Sequence, residues 1–250
     1  MTDPETEFIR QLGVFGEEAK AVTRFFYTWR TVHAVLSDDE SILDVLNENS
    51  SFWRTILRAL LTASLVTLGR VFDQDQNHST HNVDRLLRTA QTNLGIFSKE
   101  ALAKRKRREN GDAGDWLVNY LQHVYVPTDR DFRKLRRYVA DQRRIYEARY
   151  RPLRHRVFAH KGVLDQAEMT ALFAKTKNRE LQQLIVFLNR LHDALWHLLY
   201  NGRKPNLRPA RYAVRRIREQ PAPLFSHNTI QEMTIHETEC FLKSLTRQKH

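Results

Sequence analysis

Apolar residues recur along this chain with the period of a helix and almost nowhere with the alternation of a strand. Asp3 followed by Pro4 reads as an N-cap with proline at the first helical position, a favourable start. Phe25, Trp29, Val32 and Leu36 fall at i, i+4, i+7 and i+11, which predicts one face of a helix over about 17–37. A short helix is expected over 41–46. Ser50 or Ser51 would cap the next one, which carries Phe52, Ile56, Leu57, Leu60, Leu61, Leu65, Leu68 and Phe72. That segment is apolar nearly all round in its middle, as the central helix of a bundle would be. Residues 73–82 read as a polar loop, and shorter helices are expected over 81–94 and 98–108. Gly111 and Gly114 break the chain before a helix over 116–124, which Pro127 ends.

Thr128 and Asp131 have the spacing of a capping box and open a long helix. Its apolar stripe is Phe132, Leu135, Val139, Ile145 and Tyr146, and its other faces are Arg-rich. Pro152 falls inside this pattern and should kink it, with Gly162 as the stop. Leu181, Leu184, Leu188, Leu191, Leu195, Leu198 and Leu199 mark one more amphipathic helix. Residues 203–226 are rich in Pro and Arg and read as irregular, and Asn228 with Gln231 would cap a last helix to about Arg247. With 8 Gly and 7 Pro in 250 residues, turns are too scarce for a sandwich or barrel. The expected fold class is all-α: an antiparallel bundle over 1–202, with 203–250 as a basic linker and a C-terminal helix packed on the same domain.

Composition narrows the setting. At 41% hydrophobic the chain can bury a core. A single cysteine, Cys240, excludes a disulfide scaffold or a Cys-rich zinc module. Asp3, Glu5 and Glu7 in the first ten residues are unlike a signal peptide. The apolar stretch between Arg58 and Arg70 is about half a membrane span and reads as a buried core helix. A cytoplasmic protein with no membrane partner is the expectation. His236-x-x-x-Cys240 and His78-x-x-His81 have metal-compatible spacing, but each offers two ligands without a third, so no metal and no cofactor are expected.

Charge is concentrated. The formal net charge is +12. Residues 130–161 hold 12 basic and 3 acidic side chains, 99–109 hold 6 and 2, and 203–219 hold 7 and 1, so the remainder of the chain is net acidic. Such clustering points to a polyanion-facing surface, although basic helices also serve as plain solvated faces. Lys104, Arg105, Lys106, Arg107 and Arg108, with Lys161, are the candidate polyanion contacts.

Residues 151–162 read Arg-Pro-Leu-Arg-His-Arg-Val-Phe-Ala-His-Lys-Gly. Arg154 and His160 are separated by five intervening residues, with the polar His155 directly after the Arg. This resembles the R-x(4–6)-H signature of the HEPN superfamily of helical domains, and within it the abortive-infection (AbiU-like) branch. The stretch from Leu65 to Leu87 resembles that branch too: a core helix ending in Arg-x-Phe-Asp, a polar loop, then an amphipathic helix. The resemblance spans roughly residues 15–200. It implies an antiparallel helical bundle that dimerises with two motifs facing one another. It also implies metal-independent RNA cleavage in toxin–antitoxin or phage-defence systems, with a cognate antitoxin as a possible partner. Other members are silent modules that bind nucleic acid, nucleotide or a partner protein. A helical regulator binding DNA is a third reading, weakened by the lack of a helix-turn-helix signature.

The chemistry can be argued from the residue types. Metal-free cleavage by the 2′-OH needs a proton acceptor, a proton donor for the leaving oxygen, and a cation for the charge developing at phosphorus. His160 can be acid or base, since an imidazole titrates near ~6.5. Its bland alternative is capping helix-end carbonyls. Arg154 offers a planar fork for phosphate oxygens. On a straight helix, six steps turn ~600° and separate Arg154 from His160, whereas Arg156 is i−4 to His160 and shares its face. The resemblance favours Arg154; helical geometry leaves Arg156 as a rival. His155 and Arg156 are auxiliary candidates.

Overall fold

The computed structural model describes residues 3–74, 82–110, 115–159, 166–207, 213–219 and 229–247. Among these residues the chain is helical and has no strand. In order the helices are α1 (Pro4–Asp38), α2 (Glu40–Glu48), α3 (Ser50–Phe72), α4 (Val83–Thr92), α5 (Lys99–Asn110), α6 (Asp115–Gln122) and α7 (Asp129–Ile145). There follow a one-turn α8 (Arg151–Leu153), α9 (Gln166–Ala174), α10 (Asn178–Asn201), α11 (Val214–Arg218) and α12 (Ile230–Arg247). A 3-10 turn covers Leu94–Phe97, and π-helical turns cover Tyr146–Tyr150 and Arg154–Ala159, on either side of α8.

The chain contributes three segments to each of two compact units. The first is Met1–Ala19, Arg70–Ala148 and Phe187–Pro209; the second is Lys20–Gly69, Arg149–Val186 and Ala210–His250. Residues 203–250 are thus shared between the two.

In the first unit, Phe8, Phe97 and Phe132 form a chain of ring contacts at 5.3 and 5.4 Å. Leu86, Leu87 and Ala90 of α4 and Leu188, Leu191, Leu195, Leu198 and Leu199 of α10 complete its buried core. In the second, Val32, Val35, Ile42, Leu46 and Leu242 form one cluster, so α12 packs there with α2 and the end of α1. Arg218 of α11 adds ion pairs to Asp38 at 2.6 Å and Glu239 at 3.2 Å.

Helix starts follow local chemistry. The Asp3 carboxylate accepts from the Thr6 N–H and hydroxyl, and Asp39 caps α2. Asp131 accepts from both the N–H and the hydroxyl of Thr128, as the capping box requires.

Several expectations change: within 203–226, read as irregular, the short helix α11 forms at Val214–Arg218. Asn228 lies outside the described residues, and the pair that opens α12 is Thr229 with Glu232, whose carboxylate accepts from the Thr229 N–H and hydroxyl at 2.8 Å each. In α1 the buried line runs Phe8, Leu12, Phe15, Ala19, Val22, Phe26; of the expected face Val32 is buried and Leu36 packs on the core, while Phe25 and Trp29 are half-buried at its edge. In α3 only the C-terminal half is a core helix: Leu65, Leu68 and Phe72 are buried, but Phe52 is 59% exposed. By length and composition α3 could cross a membrane, and 39% of its apolar window is buried.

Another change concerns Arg105. It is not a surface cation but 5% exposed. Its guanidinium donates to the carbonyls of Ile96 and Leu199 at 2.9 Å each and pairs with Glu5 at 3.2 Å. Leu199 lies in the last turn of α10, where carbonyls have no partner within the helix. Burial of a permanent charge is costly, and here Nη1 and Nη2 are satisfied while Nε is buried without a hydrogen-bond partner. Arg105→Ala should therefore destabilise the fold by about 3 kcal/mol, by loss of these bonds and exposure of unpaired carbonyls. The exposed neighbours Arg107→Ala and Arg108→Ala should stay within about 0.5 kcal/mol. Urea unfolding followed by circular dichroism checks the contrast.

Candidate functional site: the Arg154 turn

The motif region begins where α7 gives way to its first π turn. Proline lacks the N–H that would continue an α-helical ladder. Pro152 accordingly stands at the start of a fresh turn, α8, rather than inside a straight helix. π turns flank this short helix on both sides, a recognised cause of helix bending. Two bonds from the residues just before α8 hold this stretch in the second unit. Tyr150 donates its hydroxyl to the Lys177 carbonyl at 2.7 Å, and Arg149 pairs with Glu180 at 2.7 Å. Burial pushes the Tyr150 phenol up to about 12, so it remains a protonated donor across the physiological range.

Arg154 opens the second π turn. Its side chain is half-buried, and its Nη2 lies 2.7 Å from Nε2 of His155. A guanidinium has donors only, so Nε2 of His155 accepts and the imidazole is the neutral tautomer with its proton on Nδ1. On another side the guanidinium lies against the backbone of α3 at Gly69. A Cβ on Gly69 would stand 2.6 Å from Cζ of Arg154 and overlap its Nη1. Only glycine allows the guanidinium to lie this close to the helix.

The structure therefore brings together Arg154, His155 and Gly69. Arg156 is exposed. His160 and Lys161 lie outside the described residues. In a π turn the position one turn on from Arg154 is i+5 rather than i+4, so the faces shared on a straight helix do not carry over to this stretch. Gly69 was missed in the sequence, although it stood inside the quoted Leu65–Leu87 stretch. A lone glycine in an otherwise apolar helix was the available signal, because glycine weakens a helix unless packing requires it.

The basic candidates separate by burial. Lys104, Arg107 and Arg108 are exposed on α5, Lys106 pairs with Glu109 at 3.1 Å, and Arg105 is internal. On α7, Arg130, Arg133, Lys134, Arg136, Arg137 and Arg144 are exposed, while Arg143 is buried. Among the described residues no group of three or more His, Cys, Asp or Glu side chains is placed to hold a metal ion.

The tautomer of His155 is directly measurable. Long-range nitrogen–proton NMR should show Nδ1 protonated and Nε2 bare at neutral pH, and Arg154→Ala should erase that preference.

Curated proteins give no match to this chain, and neither do solved structures. A family profile does match: AbiU2, of HEPN type, over residues 5–217. The match takes in the Arg154 turn, the Gly69 helix and most of the basic stretch after α10, which extends the likeness beyond residue 200. Spanning most of the chain, it shows that this protein belongs to the AbiU2 family of HEPN domains, helical modules of abortive infection.

Proposed function

We propose that this protein is a metal-independent endoribonuclease acting as a toxin or phage-defence effector in the cytoplasm. The observation that carries the reading is the placement of Arg154. Its planar fork is oriented by His155 and seated against Gly69, six positions before His160. The RNA 2′-OH loses its proton to a base, and its oxygen attacks phosphorus. The P–O5′ bond breaks as an acid protonates the leaving oxygen. The products are a 2′,3′-cyclic phosphate and a 5′-hydroxyl. His160 supplies the acid or base function, and Arg154 donates to the phosphoryl oxygens as their charge grows. His155 is a positioning residue, because its Nε2 lone pair fixes the direction of the fork. The exposed cations of α5 and α7 offer phosphate contacts for the strand.

His160→Ala and Arg154→Ala should each lower cleavage at least ~100-fold with an unchanged helical spectrum. Gly69→Ala should lower kcat about tenfold through the displaced guanidinium while leaving RNA affinity alone. Cleavage should persist in EDTA and leave a cyclic phosphate end. Loss in EDTA with rescue by magnesium would overturn the mechanism, and an inert wild-type chain that binds RNA would mark a silent binding module.

One chain carries one Arg154…His160 pair, whereas cleavage needs both a proton acceptor and a proton donor. A two-fold homodimer supplies two pairs in a shared cleft. An exposed aromatic group in the second unit favours a second copy: Phe52 and Phe241 are 59% and 54% exposed, with Trp53 between them. A cognate antitoxin is the further partner expected. Light scattering should give a dimer, and Phe52→Ser with Phe241→Ser should yield monomers with activity reduced in parallel. A monomer with full activity at nanomolar concentration would remove the shared-cleft scheme.

A further inference from the structure

A second cleft lies wholly within the first unit, and none of its lining belongs to the Arg154 motif. It has a volume of about 670 Å³. One wall is aromatic: Trp116 and Tyr120 of α6 meet edge-to-face at 6.0 Å, with Tyr125 just after that helix. Cations line it as well: Arg203 and Lys204 follow α10, and Lys106 comes from α5. We propose that this cleft binds a nucleotide unit, with the base on Trp116 and the phosphate on Arg203 and Lys204.

The walls are held in place before any ligand arrives. Tyr120 donates its hydroxyl to the Asn201 carbonyl at 2.9 Å, and the Tyr125 N–H donates to the Gly202 carbonyl at 2.7 Å. Gly202 itself is left-handed, with φ of 54°. A Cβ there would be strained and would overlap Val124. This glycine closes α10 and turns the chain sharply, so that Arg203 and Lys204 line the cleft. The indole of Trp116 is 47% exposed, leaving apolar surface for a planar partner. Lys204 stands 5.3 Å from the centre of the Tyr125 ring, so a cation already lies against the aromatic wall.

The nearby carboxylates are largely engaged. Asp131 accepts from Tyr125 and twice from Thr128, and Glu109 pairs with Lys106. Arg203 and Lys204 are exposed. An apolar ligand would leave those cations unused, and a cationic one would be repelled by them. A flat aromatic group joined to an anion satisfies both the rings and the cations, and a nucleotide is that chemistry. Its source is either a free mononucleotide or one residue of a single strand.

The test uses the full chain, tryptophan fluorescence and two sets of probes: AMP and ATP, and 5′-phosphorylated 2′-O-methyl oligonucleotides ten residues long. The 2′-O-methyl group blocks 2′-OH attack, so the result does not depend on the cleavage reading. Quenching by the mononucleotides identifies a free-nucleotide site, and quenching by the oligonucleotides alone identifies a strand site; either supports the proposal. Calorimetry should show binding about tenfold weaker in Trp116→Ala, near wild type in Trp116→Phe, and about tenfold weaker with a shallower salt dependence in the Arg203→Gln, Lys204→Gln double variant. Absence of binding, indifference to both sets of substitutions, or equal competition by inorganic polyphosphate without a base would overturn it.

Discussion

Helix C-termini that end inside a protein leave carbonyls without partners, and this fold meets that constraint with arginine. α3 ends at Phe72, whose carbonyl accepts from Nε of the buried Arg143, while Nη2 of the same side chain reaches Asp84 in the first turn of α4. One guanidinium thereby joins the end of one helix, the start of the next and the C-terminal end of α7. Arg105 serves Leu199 near the end of α10 in the same manner. Arginine suits the task because its rigid fork spans several acceptors and its charge cannot be shed. Tyr146 stacks on Phe72 at 5.5 Å and begins the first π turn three residues after Arg143.

That use of arginine alters the meaning of the charge. Counted along the chain, the basic runs read as one continuous surface for a polyanion. In the folded units they divide by task. Arg105, Arg143 and Arg218 lie inside and bind carbonyls or carboxylates. Lys104, Arg107 and Arg108 on α5, with the exposed residues of α7, remain for solvent or phosphate. The helical period explains the division: on α7, position 143 continues the line of Phe132, Leu135 and Val139 and must be buried whatever its side chain.

The motif shows a related economy. A guanidinium needs restraint to act as a directional donor, since its long side chain otherwise samples many rotamers. His155 supplies one contact and the bare backbone at Gly69 the other. The π turns set the register, because a five-residue closure changes which positions share a face. Two stretches that looked similar to one family for separate reasons, 65–87 and 151–162, meet through this one contact.

Much was legible in the sequence by itself. The all-α class, the leucine line of α10, the capping box at Thr128 and the helical segments followed from periodicity and local capping chemistry, which act over a few residues. The family followed from the Arg154…His160 spacing and the stretch around Gly69. Tertiary structure alone decided what depends on partners distant in the chain. It buried Arg105, left the N-terminal half of α3 half-exposed, and set π turns on both sides of Pro152. It also placed Gly69 under Arg154 and turned Gly202 so that two cations join an aromatic group in lining one cleft. The physical reason is the same in each case. A side chain's type sets which bonds it can make, but only the packed chain determines which acceptors, rings and voids it meets.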